Sequence, residues 1–292
     1  RAVLIVFFIA IFVENLGVAP YTRVLRDMYS ERGRGMAMSY VRAWSGGCQI
    51  IGSFLGGAML DRNYGWLVFA LAGICGAISS WNFRRIFAGR ESPLFVAQAM
   101  GVREVTSSLR ASEGFFWMNL TIMLFGLGNL MVLGVLPTLL VNRFNISNFA
   151  LGNLNALTFI VTVFSYLLLA RYVSNYGAKN GLLLGMTAGV LNPWLFLLSP
   201  SVHYLTVPYA FSGLMYAAFD ISWMLLIISY VPTDQIGRHA AVYTFLMGIR
   251  GVTAMLATNL ALPYVDPALL LSIGGIFTAL GLGIGVWKRS RW

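Results

Sequence analysis

The sequence predicts an all-α protein that crosses a membrane several times, and three observations support this fold class. Hydrophobic residues make up 58% of the chain and charged residues only 10%, whereas a soluble domain carries about 25% charged residues. The mean hydropathy is +0.75. The alternating segments of about ten residues that are typical of outer-membrane strands do not occur in the sequence. We therefore expect a polytopic helical protein with the lipid bilayer as its surroundings.

Nine segments reach the length of about 20 mostly apolar residues that a membrane-spanning helix needs. In chain order they are residues 2–22, 36–60, 65–83, 115–141, 150–170, 181–199, 204–231, 239–262 and 267–287. The one long polar connection lies at residues 84–114, between the third and fourth segments, and the other connections are short. This connection predicts a boundary between two parts of the chain.

The basic residues are distributed unevenly between alternate loops. Fifteen Lys and Arg residues fall on one face of the predicted membrane protein, and only Arg62 and Arg143 fall on the other. Because basic loops stay in the cytoplasm, the C-terminus is expected inside the cell. The small loops favour a bacterial cytoplasmic membrane. The net charge of +10 thus indicates topology, and no nucleic-acid partner is expected.

An internal repeat relates the first three predicted spans to the last three. Glu14 precedes the loop residue Arg32 by 18 positions, and Asp220 precedes Arg238 by the same 18. Internal repeats of this kind are common in transporters. We therefore expect a twelve-span molecule of which the first three spans are missing here. Residues 1–83 would then be the second half of an N-terminal bundle, 84–114 a cytoplasmic linker, and 115–292 a complete six-helix bundle.

Three loop and helix stretches carry a family resemblance. ERGRGMA at residues 31–37 resembles an RG-containing turn between helices four and five, and CQIIGSFLGG at residues 48–57 resembles a GxxxGPxxGG motif in helix five. ARYVSNYGAK at residues 170–179 lies where a GxLaDrxGrk loop belongs. With six plus six spans and a basic central loop, the chain resembles the major facilitator superfamily of secondary transporters. The resemblance covers the whole chain, whose predicted spans would be helices four to twelve of the twelve-helix fold of that family.

The resemblance also implies roles for some glycines and one lysine. Gly52, Gly56 and Gly57 match the helix-five motif and are expected to let helices pack closely. Gly177 and Lys179 match the loop motif, which is implicated in gating. The aspartate of that loop motif is Ser174 here, so the charge-relay role proposed for the acid does not carry over.

Glu14 and Asp220 are the only acidic residues well inside predicted spans. An ionised aspartate in the middle of a span costs roughly 2.5 to 3.5 kcal/mol on insertion scales, so its presence indicates a function or a partner. Both acids could face a central cavity and bind a cationic group or take up a proton. A structural ion pair or a helix cap is the alternative for each.

Arg250 and Arg42 are the candidate partners of these acids, because a buried guanidinium needs a carboxylate, a carbonyl or an anionic ligand. Snorkelling toward the cytoplasmic edge is an alternative for Arg42. Tyr216 and Trp223 lie four residues before and three residues after Asp220, so they share its helix face. Both could stack on a substrate or simply pack. Asn155 could bind substrate or join two helices.

The predicted function is alternating-access transport of an unidentified small solute, as uptake or efflux, in which Asp220 or Glu14 could provide coupling to protons. No GxxxxGK[ST] loop is present, so an ATP-driven pump is not expected. The alternatives are a sensor or scaffold that does not transport and, less favoured, a membrane transferase. We expect no cofactor, no metal site, no catalytic residue and a monomeric protein.

Overall fold

The computed structural model describes residues 31–87, 102–110, 112–231 and 235–291, and in these ranges all the regular structure is helical. The helices are α1 (Glu31–Asp61), α2 (Gly65–Phe87), α3 (Val102–Arg110), α4 (Glu113–Phe144), α5 (Asn148–Tyr176), α6 (Ala178–Leu198), α7 (Thr206–Tyr230), α8 (Ile236–Ala261) and α9 (Pro267–Trp287). A short 3₁₀ helix, Val202–Leu205, precedes α7. The predicted all-α class is confirmed for this part of the chain.

Seven of the described helices are long and apolar enough to cross a membrane. They are α2 and the six helices from α4 to α9, which match seven of the predicted spans. The predicted span at 2–22 lies outside the described residues. The predicted span at 36–60 lies within α1, which is 31 residues long but is not among the seven. A multi-pass membrane protein is therefore confirmed, and the count of nine spans stays a prediction.

The chain divides into two compact units, residues 1–48 and 49–292. The described part of the first unit is the beginning of α1. The second unit contains the end of α1 and all the other helices, and the contacts reported below lie within it. The predicted linker at 84–114 is partly helical, because α2 continues to Phe87 and α3 lies within the linker.

Side-chain caps mark where three of the long helices begin. Ser112 accepts a hydrogen bond from the backbone N–H of Phe115, at the start of α4. Ser147 does the same for Ala150 at the start of α5. Asp266 accepts from two backbone N–H groups at the start of α9, where Pro267 occupies the first turn. These caps bind N–H groups that have no partner within their own helix.

Glycine and threonine residues bring the helices of the second unit together. At the α4–α9 crossing, a Cβ atom added to Gly128 would lie 2.2 Å from the carbonyl oxygen of Gly274, so the two backbones touch. Between α5 and α7, Thr158 donates a hydrogen bond to the carbonyl of Tyr209, and Thr162 donates to that of Gly213. Small residues and hydroxyl bonds replace the hydrophobic effect as the source of helix association in lipid.

We expect Gly281→Ala to destabilise the protein and Gly283→Ala to leave it unchanged or slightly more stable. A Cβ atom at Gly281 would lie 2.5 Å from the backbone nitrogen of Phe125 on α4, which cannot rotate away. Overpacking of this kind costs about 1–3 kcal/mol. Gly283 is on the same helix, and a Cβ there would meet no atom of the described residues within 4 Å. Thermal unfolding of both variants in detergent measures the difference, and equal melting temperatures would contradict the crossing.

Candidate functional site

Asp220 lies on α7 and is half-buried in the second unit. Its Oδ2 atom accepts a hydrogen bond of 2.5 Å from the hydroxyl of Tyr166 on α5. A bond from O–H to a carboxylate is among the shorter and stronger hydrogen bonds in proteins. Asp220 thus connects α7 to α5 deep within the helices.

Trp223, one turn further along α7, contacts a different helix. Its ring stacks on Tyr243 of α8, with ring centroids 4.9 Å apart and an angle of 6° between the planes. Tyr216, one turn before Asp220, has an exposed fraction of 36%. The predicted shared face of Tyr216, Asp220 and Trp223 therefore contains an acid and an aromatic stack that contact two different neighbouring helices.

Arg250 lies on α8 and is half-buried. Its Nη1 atom donates a hydrogen bond of 3.1 Å to the carbonyl oxygen of Ile122 on α4. The guanidinium passes directly over Gly126, where an added Cβ atom would lie 1.8 Å from Nη1 and 2.2 Å from Cζ. The missing side chain at Gly126 is what leaves room for Arg250.

The structure brings Asp220 and Arg250 to the same region without joining them in an ion pair. Within the described part of the chain, no carboxylate oxygen lies within 4.0 Å of the guanidinium of Arg250. The phenol of Tyr243 interacts electrostatically with both charged groups. Asp220, Arg250, Tyr166, Trp223 and Tyr243 are called the polar cluster below.

The polar cluster lies far from the ends of its helices. Asp220 precedes the last residue of α7 by 10 positions and Arg250 precedes that of α8 by 11, so each lies about 15 Å or more from the nearer end at 1.5 Å per residue. Such a depth is beyond the reach of snorkelling and matches the midplane region where transporters bind their solutes.

Three further residues were predicted for the site from the sequence. Glu14 lies outside the described residues. Arg42 is half-buried on the part of α1 that belongs to the first unit, and Asn155 is exposed on α5. Their predicted roles stay predictions.

Of the three motif glycines, only Gly57 makes a close helix contact with the described residues. A Cβ atom at Gly57 would lie 2.6 Å from the carbonyl oxygen of Asn148 and 3.1 Å from the Cα atom of Gly152, both on α5. At Gly52 and Gly56, an added Cβ would meet no described atom within 4 Å. The close approach predicted for the motif is thus found at Gly57, where α1 crosses the start of α5.

Asp61, the last residue of α1, caps the N-terminus of α5 at this crossing. Its two carboxylate oxygens accept hydrogen bonds from the backbone N–H groups of Asn148 and Phe149, at 2.9 and 2.8 Å. The N–H of Phe149 is the main reason that the pKa of Asp61 is lowered from its ordinary value. The carboxylate also faces the positive end of the α5 dipole. Sequence reasoning missed Asp61 because the partner helix begins 87 residues later.

Gly177 and Lys179 lie between the end of α5 and the start of α6, whereas the crossing with α1 is at the start of α5. Gly177 separates the two helices with a φ of 85°, a conformation that a side chain would strain. The amine of Lys179 donates a hydrogen bond to the carbonyl of Arg289, after α9. The guanidinium of Arg289 in turn donates to the side-chain oxygen of Asn180, at 2.7 Å. This loop is therefore tied to the C-terminal segment.

Tyr166, Tyr243 and Gly126 were not singled out from the sequence. Tyr243 had a usable signal, because it precedes Arg250 by seven residues and so shares its helix face. Tyr166 and Gly126 had none, since each contacts a residue far along the chain.

Neither of two other kinds of site is a better candidate in the described residues. A groove of about 480 Å³ between α1 and α5 is lined by apolar side chains and Asn153, so it offers little for chemical recognition of a polar solute. Among the described residues, no group of three His, Cys, Asp or Glu side chains could hold a metal ion. The polar cluster is therefore the best candidate for a binding site.

The family model described as Major Facilitator Superfamily matches residues 2–255, which is well over half of the chain. A search of curated proteins finds none that matches.

Proposed function

Because the chain belongs to the Major Facilitator Superfamily, a family of membrane transporters, we propose that it moves a small solute across the membrane by alternating access. The polar cluster is the observation that carries this proposal. It combines an acid, a guanidinium and a stacked aromatic pair at the middle depth of α5, α7 and α8. Charged groups at this depth in transporters commonly lie on the pathway of the solute or the coupling ion.

Asp220 is the proposed coupling residue, by taking up and releasing a proton. Its bond from Tyr166 positions the carboxyl group between two helices, and either helix could change the group's exposure to water. Proton relays in pumps and transporters are built from carboxyl groups inside membrane spans. We propose that a pH gradient drives the solute, in either direction, through this residue.

The crossing of α1 and α5 is the proposed outer closure. In the proposed organisation, residues 1–83 belong to one bundle and 115–292 to the other, with 84–114 as the linker. The Gly57–Gly152 approach and the Asp61 cap would then join the two bundles on the side opposite to the basic face. Alternating access requires that this contact opens when the cytoplasmic side closes.

We propose that the protein is a monomeric transporter in a bacterial cytoplasmic membrane. Its C-terminus would lie on the inner side. Lys179 and Arg238 lie in the first turns of α6 and α8, and Arg289 follows the end of α9. For helices that cross the membrane in alternate directions these positions are on one side, which supports this orientation under the positive-inside rule.

Transport in reconstituted liposomes tests the proposal. The protein is incorporated into vesicles with an imposed pH gradient, and uptake is measured for a panel of radiolabelled organic acids, amines, sugars and amino acids. Gradient-dependent uptake of at least one solute, absent from protein-free vesicles, is expected. Binding without transport for every ligand found would favour a sensor, and a covalently altered solute would favour a transferase.

A further inference from the structure

The guanidinium of Arg250 occupies a space that the helix backbone provides for it. The side chain crosses α4 at Gly126, and even its Cδ atom would lie 2.6 Å from a Cβ there. The one hydrogen bond to α4 comes from Nη1 to a neutral carbonyl. The guanidinium is therefore held in position by a neutral group, and no acidic side chain of the described residues compensates its charge.

Among the described residues, the guanidinium of Arg250 has more N–H donors than there are acceptors in contact with it. Its Nε atom is buried and has no hydrogen-bond partner in the part of the chain that the structure describes. An arginine has five N–H donors and no acceptor. A buried charge is costly unless it is paired with an opposite charge or a set of hydrogen bonds. A purely structural role for Arg250 would leave part of the cost of burying its charge uncompensated by the described residues.

We propose that Arg250 binds the carboxylate of the transported solute, so that the substrates are organic monocarboxylates; this rests on the proposed transport function. The planar guanidinium pairs with a carboxylate through two parallel hydrogen bonds. Tyr243 lies seven residues, about two turns, before Arg250 on α8, and its stack with Trp223 would supply an apolar surface for the rest of the solute.

The position of Asp220 favours solutes that carry only one negative charge. Asp220 lies one turn before Trp223 on α7, and Trp223 stacks on Tyr243 of α8, so a solute seated against this aromatic pair would also lie near the Asp220 carboxyl group. A second negative charge on the solute would be repelled by an ionised Asp220 in a medium of low dielectric constant. Monocarboxylates are therefore favoured over dicarboxylates and phosphate monoesters.

The test compares ligands of similar shape and different charge. Thermal stabilisation of the purified full chain is measured with acetate, lactate, octanoate and benzoate, and with benzyl alcohol, benzylamine and succinate. We expect at least one monocarboxylate to stabilise the protein and the alcohol, amine and dicarboxylate to have a much smaller effect. Stabilisation by none of the monocarboxylates, or equally by the alcohol, would overturn the proposal.

Variants then test whether Arg250 is the residue that binds the carboxylate of the solute. Arg250→Gln should weaken monocarboxylate binding by about tenfold or more, since a charge-assisted pair is lost, and Arg250→Lys should recover part of it. Arg143→Gln is the matched control, because Arg143 is exposed and donates to the carbonyls of Leu197 and Ser199. If Arg250→Gln does not fold, Gly126→Ala displaces the same guanidinium. Unchanged binding in a folded Arg250 variant would contradict the assignment.

The outcomes separate this proposal from transport itself. Monocarboxylate binding that depends on Arg250 without uptake into vesicles would support the site and contradict the transport function. Uptake of neutral or cationic solutes that is insensitive to Arg250→Gln would support transport and contradict the substrate class.

Discussion

Replacing Asp220 by asparagine is expected to abolish uptake driven by a pH gradient while leaving solute exchange between equal pH values intact. Asparagine has nearly the same shape and keeps a side-chain oxygen that can accept the hydrogen bond from Tyr166. It cannot take up a proton, so only the coupling step is lost. The measurement is uptake into reconstituted liposomes with and without a pH gradient, together with counterflow at equal pH.

The matched control is Asp266→Asn, the same chemical change at the start of α9. Asp266 caps that helix with two backbone N–H groups, and asparagine caps helices about as well as aspartate. Its transport should equal that of the unchanged protein. An Asp220→Asn protein whose uptake still responds to the pH gradient would refute proton coupling at this residue.

Gly57→Leu is expected to shift the protein toward a conformation in which α1 and α5 are apart. A Cβ atom at residue 57 already comes within 2.6 Å of the Asn148 carbonyl, and the larger side chain would meet the backbone of α5. Overpacking costs about 1–3 kcal/mol, which changes the ratio of open to closed forms by roughly 5- to 150-fold. Spin labels at Arg62 and Asn145, exposed residues next to the crossing, report the separation as a distance distribution.

Gly52→Leu is the control on the same helix, because a Cβ at residue 52 meets no described atom within 4 Å. Its label distances should match those of the unchanged protein. Equal distributions for the two leucine variants would contradict the proposed closure at Gly57.

Asp61 adds a pH dependence to the same distance measurement. Because the pKa of Asp61 is lowered by the N–H groups it binds, the contact is fully formed above the ordinary aspartate pKa. It is lost only as pH falls through the lowered pKa, so the closed form should persist at pH 5 to 8. Asp61→Ala should show a several-fold larger open fraction at neutral pH, and an unchanged distribution would exclude the cap as part of the closure.

The membrane-spanning helices from α4 to α9 could be predicted because their signals are local. Twenty apolar residues in a row suffice for a span, and a capping residue such as Ser147 marks where a helix begins. A span was also predicted at 36–60, but α1 is not among the seven helices that are apolar enough to cross a membrane, since its many glycines and hydroxyl side chains lower its apolar content. Asp220 and Arg250 could also be found, because a charge inside an apolar run is conspicuous in any window of the sequence.

What each of those residues contacts depended on the tertiary structure. Tyr166 is 54 positions before Asp220, and Ile122 is 128 before Arg250. Such distances along the chain leave no pattern, because the choice of neighbouring helices depends on backbone contacts at residues such as Gly128 and Gly274.

The glycine motif shows the same division. Its residues are equivalent in sequence, yet only Gly57 faces α5, because a helix turns by 3.6 residues and presents one side to its neighbour. The sequence by itself determined a polytopic helical protein with rare charges inside its spans, since hydropathy and helix length are properties of each segment. Only the tertiary structure decided that Asp220 binds a tyrosine, that Arg250 keeps a donor without a partner among the described residues and that Asp61 caps α5, because those depend on which helices pack together.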